Sequence, residues 1–180
     1  RIAPKNFESH VPKLELHTIP GQIKALSNPN PNIRFLGFQA LRKKGAEAYV
    51  AVTELLDHNN PYIAARAVWL LPHLGKKGKN EITKLLNSKK SMHRLVAYRS
   101  LRRSEQKLFS YAQKMAKDPA PGVRRDVALS MRAFSAEQAN PILLEVANRY
   151  DGYDKNYVES IGLGAAGKEG ALWMHLRDHL

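Results

Sequence analysis

Few residues in this chain have the type and spacing that chemistry demands. His175 and His179 share the i, i+4 spacing that can bring two imidazoles from one helix onto a metal ion. No Glu stands between them to act as a general base, and two solvated histidines near a helix end are the simpler account. Residues 162–167, GLGAAG, satisfy the G-x-G-x-x-G pattern of a dinucleotide loop. Such a loop must join a strand to a helix, with an acidic residue about 20 positions later on a second strand. Here the preceding NYVES has helical phase, so close helix packing and a turn explain the glycines better. Asp151, Asp154 and Asn156 suggest an oxygen-ligand loop, but the Gly and terminal Glu of a calcium loop are out of place, and helix capping suits them. No Ser–His–Asp arrangement stands out. The sequence therefore assigns no catalytic residue, no cofactor and no metal site, and the module is expected not to be an enzyme.

Composition narrows the classes further. The 180 residues contain no cysteine, which excludes disulfides, thiolate metal sites and covalently attached c-type haem within the chain. A hydrophobic fraction of 43% is enough for a packed core and too high for a disordered chain. No run approaches the roughly 18 apolar residues of a membrane helix, so membrane insertion is not expected. The chain opens at Arg1 without an initiator Met and ends in MHLRDHL, which has the character of a helix interior. It reads as a piece of a longer protein.

Charge supplies the main candidate for binding. The net charge is +13, and residues 76–125 hold fifteen Lys and Arg against three acids, whereas residues 126–180 are net negative. Such a block suits an anionic partner, or simply a solvated lysine-rich surface. Along the whole chain the arginines fall into columns spaced by multiples of thirty residues: Arg34, Arg94 and Arg124 form one, Arg42, Arg102 and Arg132 another. The first column is expected to brace one unit against acids of the next. Arg94, Arg99, Arg102 and Arg103, with Trp69, form the candidate binding surface. Trp69 stands where other units carry Gln39, Arg99, Leu129 and Glu159, so it reads either as a contact residue or as filler beside a neighbouring helix.

The elements that must position these side chains follow the same period. Leu41, Leu71, Leu101, Met131 and Ile161 align at steps of thirty, as do Gly37, Ala67, Ala97, Val127 and Tyr157, and Leu26, Leu56, Leu86, Ala116 and Val146. Three apolar columns in register identify a repeat array. Each unit reads as two helices. The second opens with Asn30-Pro31, Asn60-Pro61 or Ala120-Pro121, where Pro in the first turn costs no hydrogen bond and Asn can cap. In the third unit Ser91 replaces the Pro, and in the fifth YDGYDKNY replaces the turn. The first helices are expected at residues 46–57, 80–88 and 105–118. The fold class is thus all-α, an α/α superhelix of about five 30-residue helix pairs over residues 20–180, preceded by an extended connector at residues 1–19.

The residues at 57–67, with D-x-x-N-P-x-I-x-x-R-A, and DPAPGVRRDVA at 118–128 resemble HEAT repeats of the short, PBS-lyase-like type. The resemblance implies a HEAT-repeat solenoid and a binding scaffold, with Ala64 departing from the arginine column. RIAPKNF, VPKLEL and GQIKALSNPNPNIRFLGFQAL are similar to the junction, in large bacterial secreted proteins, where a sorbosone-dehydrogenase-like β-propeller meets HEAT repeats before a c-type cytochrome domain. That resemblance implies a propeller strand tail at residues 1–7, a connector at 11–20 and a periplasmic or secreted location. The expected function is a non-catalytic scaffold whose partner is a protein or a neighbouring domain of the same chain. The alternative is non-specific nucleic-acid binding through the basic middle. A lyase-like enzyme acting on a bilin ranks last, since no residue can be assigned to its chemistry.

Overall fold

The computed structural model describes residues 6, 13–104 and 108–177. Among these residues there is no strand, and eleven α-helices follow one another: α1 (Ile19–Leu26), α2 (Pro31–Lys44), α3 (Tyr49–Thr53), α4 (Pro61–Leu70), α5 (Gly75–Leu85), α6 (Ser91–Ser104), α7 (Leu108–Met115), α8 (Pro121–Ser130), α9 (Ala136–Ala147), α10 (Lys155–Gly164) and α11 (Glu169–Arg177). The fold is all-α, with helices packed in pairs. None of them is long and apolar enough to cross a membrane. Most of the expected propeller tail and the start of the connector lie outside the described residues. The described end of the connector, from Lys13, is irregular until Thr18, whose side chain caps α1 and starts the helix at Ile19.

The even-numbered helices begin where local chemistry dictates. Asn30 and Asn60 are extended, and their side chains accept the N–H of Asn32 and Tyr62, while Pro31 and Pro61 occupy the position that has no hydrogen bond to lose. A second device precedes each start. The side chain two residues before the cap position accepts that position's N–H: Asn28 from Asn30, His58 from Asn60, Ser88 from Lys90 and Asp118 from Ala120. In the last unit Gly152, at φ 88, makes an extra turn and Asp154 caps α10, so that helix starts one turn late but stays in phase.

The odd-numbered helices are less regular. Residues 45–57 form α3 flanked by 3-10 turns at Gly45–Ala48 and Glu54–Asp57. Helix α5 starts at Gly75, earlier than its apolar pattern suggests, despite two glycines and three lysines in its first five residues. Gly78 explains it: a Cβ there would lie 2.1 Å from the Leu71 carbonyl oxygen, so a bare backbone lets α5 cross the preceding turn closely.

Each even helix packs on its odd partner and on the next even helix, so α2, α4, α6, α8 and α10 form a row. The three apolar columns fill the space between the rows, and all their members are buried except the half-buried Ile161. Consecutive units are also joined through two buried tyrosines. The Tyr98 hydroxyl of α6 meets Ser130 Oγ of α8 at 2.6 Å, and burial pushes its pKa up to about 12. The Tyr157 hydroxyl donates to the Val146 carbonyl at 2.8 Å and accepts from Arg124. Buried hydroxyls satisfied in this way add direction to an otherwise apolar contact.

Candidate interaction surface

The arginines sort into two sets by what they touch. Arg34, Arg94 and Arg124 repeat one construction. Each Nη1 reaches back to the carbonyls six and five residues earlier: Asn28 and Pro29, Ser88 and Lys89, Asp118 and Pro119. Those carbonyls belong to the loop that ends the first helix of the unit, where backbone acceptors lack helical partners. Arg94 then turns its other edge on the next unit, with Nε and Nη2 donating to Asp118 at 2.7 and 2.8 Å. The Asp118 carboxylate holds the Arg94 guanidinium above its ordinary pKa. Arg124, which is buried, donates to the Tyr157 hydroxyl at 2.7 Å and to the Arg149 carbonyl at 3.1 Å. Where Ala64 breaks the column, Arg66 donates to the Leu26 carbonyl at 3.0 Å instead.

The second set lies on the solvent side of the even-helix row. Arg99 donates through Nε and Nη2 to Asp126 of α8 at 3.0 and 2.7 Å, and this pairing raises its pKa. Arg102 lies 3.9 Å from the same carboxylate. The guanidinium of Arg103 sits over the half-buried Trp69 ring, 5.1 Å from its centroid. Arg125 continues the pattern to Asp154 at 3.1 Å. The structure thus brings Arg99 and Arg102 together on one acid and Arg103 onto Trp69, while Arg94 is turned inward and is 11% exposed. Of the remaining column members, Arg42 and Arg132 are exposed.

A cleft of about 280 Å³ separates α6, α8 and α10, lined by Arg99, Arg125, Asp126, Leu129, Glu159 and Leu163. Its two cations are balanced by acids on the neighbouring helices, which leaves it mixed in character. Positive charge with no acid partner among the described residues resides elsewhere, on exposed lysines such as Lys76, Lys77 and Lys79 of α5. Sequence reasoning passed over Asp118 and Asp126, the acids that engage three of the four candidate arginines. Asp118 was legible as a member of a polar column with Asn28, His58 and Ser88. Asp126 falls in a column with Leu36, Arg66, Val96 and Asn156 and has no such signal.

The other candidate motifs also find places. The glycine-rich residues 162–167 span the end of α10 and the turn after it. A Cβ on Gly164 would lie 2.1 Å from the Ala128 carbonyl oxygen, which marks a close helix crossing. Asp151 accepts the Tyr153 N–H and Asp154 caps α10. Among the described residues no group of three or more His, Cys, Asp or Glu could hold a metal ion. His179 and the His175 side chain lie outside those residues. No protein-family model matches the chain, and no curated protein matches it significantly.

Proposed function

We propose that the chain is an α-helical solenoid of about five 30-residue pairs, similar to HEAT repeats, and serves as a non-catalytic protein-interaction scaffold. The observation that carries this reading is a set of exposed large apolar side chains spread over the even helices: Phe35 and Leu36 on α2, Tyr62 on α4, Leu129 on α8, and Val158 and Leu163 on α10. Tyr62 is 74% exposed and Phe35 60%. Apolar surface distributed along one row suits an extended protein contact. The arginines between these helices are engaged with acids and an indole, which favours a braced support over a charged groove. On the resemblance of its N-terminal segment, the scaffold would stand between a dehydrogenase-like propeller and a cytochrome domain. The haem would be attached outside this chain, which has no cysteine.

Photo-crosslinking from Tyr62 and Leu163, in the protein as its cells produce it, tests the reading. Cross-links to a protein or to another domain of the same polypeptide are expected, and cross-links to nucleic acid would overturn it. A second reading, non-specific nucleic-acid binding, would rest on Lys76, Lys77 and Lys79 of α5. Duplex DNA binding that survives near physiological salt and is lost on changing these three to Gln would establish it.

A further inference from the structure

Helix α11 packs on α9 and carries Leu172 and Leu176 in step with the apolar residues of the other odd helices, so it stands as the first helix of a sixth pair. Among the described residues no second helix follows it. Burial marks the gap. Val158 of α10 is 48% exposed, whereas Val68, Tyr98 and Ala128, at the same step in the three preceding pairs, are fully buried. Ile161 and Leu176 are only half-buried, although every other member of their columns is buried, and Trp173 is exposed one turn from Leu176. In the inner pairs the next even helix covers these steps. The Tyr98 hydroxyl meets Ser130 of α8, and the adjacent Arg99 pairs with Asp126 of α8. Val158 and Glu159 occupy those two steps in α10, so the charge offered to a following helix is reversed there. Glu159 is exposed, and its ion pair, with Lys155 at 3.6 Å, stays within α10.

We infer that this open end is a docking site for one amphipathic helix of a protein partner, built on the pattern of the even helices. It carries a base at the step of Asp126, a small residue directly after it, and leucine-sized apolar residues four and five places after the base. The base meets Glu159, and the apolar stripe covers Val158, Ile161 and Trp173. The acids at this end, Asp151, Asp154 and Glu159, disfavour a nucleic acid. The inference rests on the reading of the chain as a helix-pair array that binds protein, but it concerns the end of the stack and not Phe35 or Tyr62.

The segment of residues 59–75 supplies a probe, because Arg66, Ala67, Leu70 and Leu71 hold the required steps. Fluorescence anisotropy of this labelled peptide, titrated with the whole chain, tests the site. Saturable binding is expected, weakened at least about tenfold by Val158→Asp, an exposed change whose folding circular dichroism checks. Glu159→Lys should weaken it about threefold, and Arg66→Glu in the peptide should restore affinity for the Glu159→Lys chain. Tyr62→Ser in the chain should leave binding unchanged. Absent binding, indifference to Val158→Asp, or no restoration by the charge swap would each overturn the proposal, while cross-links from Tyr62 still judge the scaffold reading separately. Binding lost in Tyr62→Ser and kept in Val158→Asp would place the peptide on the even-helix row and overturn it too. Dimerisation of the chain alone, seen by sedimentation and abolished by Val158→Asp, would make a second copy the occupant and refute the partner helix.

Discussion

Replacing Asp118 with Asn should unlock the contact between the third and fourth helix pairs. The carboxylate accepts two N–H groups of Arg94 and the Ala120 N–H that precedes α8. Its side chain is 3% exposed and that of Arg94 11%. Removing one partner of a buried ion pair costs ~3–5 kcal/mol. Asn keeps the Ala120 contact through its own oxygen, and Arg94 keeps the Ser88 and Lys89 carbonyls, so the expected loss is about 2–3 kcal/mol. For a chain of this length that lowers Tm by roughly 5–10 °C. Urea unfolding followed by far-UV circular dichroism measures it. The Arg94→Met/Asp118→Asn double variant should lose clearly less than the sum of the single changes, because it leaves no guanidinium facing an amide. A loss below about 0.5 kcal/mol, or strict additivity, would show that this pair behaves like a surface pair and contributes little to holding the seam.

Two further outcomes follow from geometry and burial. Gly37→Ala places a Cβ 2.4 Å from the Leu26 nitrogen and 2.8 Å from the Gln22 carbonyl oxygen. Backbone cannot yield as a side chain does, so a cost of at least ~1–3 kcal/mol and early amide exchange in α1 are expected. Gly162→Ala, which meets nothing within 4 Å, should be neutral or slightly stabilising, and equal effects at the two positions would refute the packing argument. Burial first, then the charge of Lys90, hold His93 below its ordinary 6.5, against the opposing pull of the Leu56 carbonyl and Asp57. The unfolded chain then binds this proton more readily than the folded one. The His93 contribution is therefore full above about pH 6.5 and is lost as pH falls below it, levelling off once the folded value is passed. His93→Gln should flatten the fall in urea midpoint between about pH 7.5 and 5.5. Part of the slope should persist, because His73 is also lowered, by burial and by Arg42. An unchanged slope would remove His93 from the account.

The even helices were legible because their signals are local. Helices α2, α4 and α8 start at the prolines and α6 at Ser91, thirty residues apart, since a capping side chain and a Pro act within one turn. The odd helices were read less well because tertiary contact decides them. Residues 75–79, GKKGK, have poor helix propensity, yet they are helical because Gly78 can lie against the Leu71 carbonyl. At residues 46–57 the amphipathic pattern is present, but the segment breaks into 3-10 and α turns that no single periodicity describes.

The arginines show where column reasoning stops. Columns group residues at the same step of the repeat, but an ion pair joins two different columns. Arg94 meets Asp118 at a separation of 24 residues, Arg99 meets Asp126 at 27, and Arg125 meets Asp154 at 29. Each separation falls just short of thirty because the acid lies earlier in its own unit than the base does in the one before. Ladders of like charge are therefore poor indicators of a binding face unless the acids offset from them are counted as well. Once Asp118, Asp126 and Asp154 are set against their arginines, the positive surplus of residues 76–125 rests mainly on lysines. Neutralising arginines should then show chiefly as lost stability, and neutralising lysines chiefly as altered binding of anionic partners.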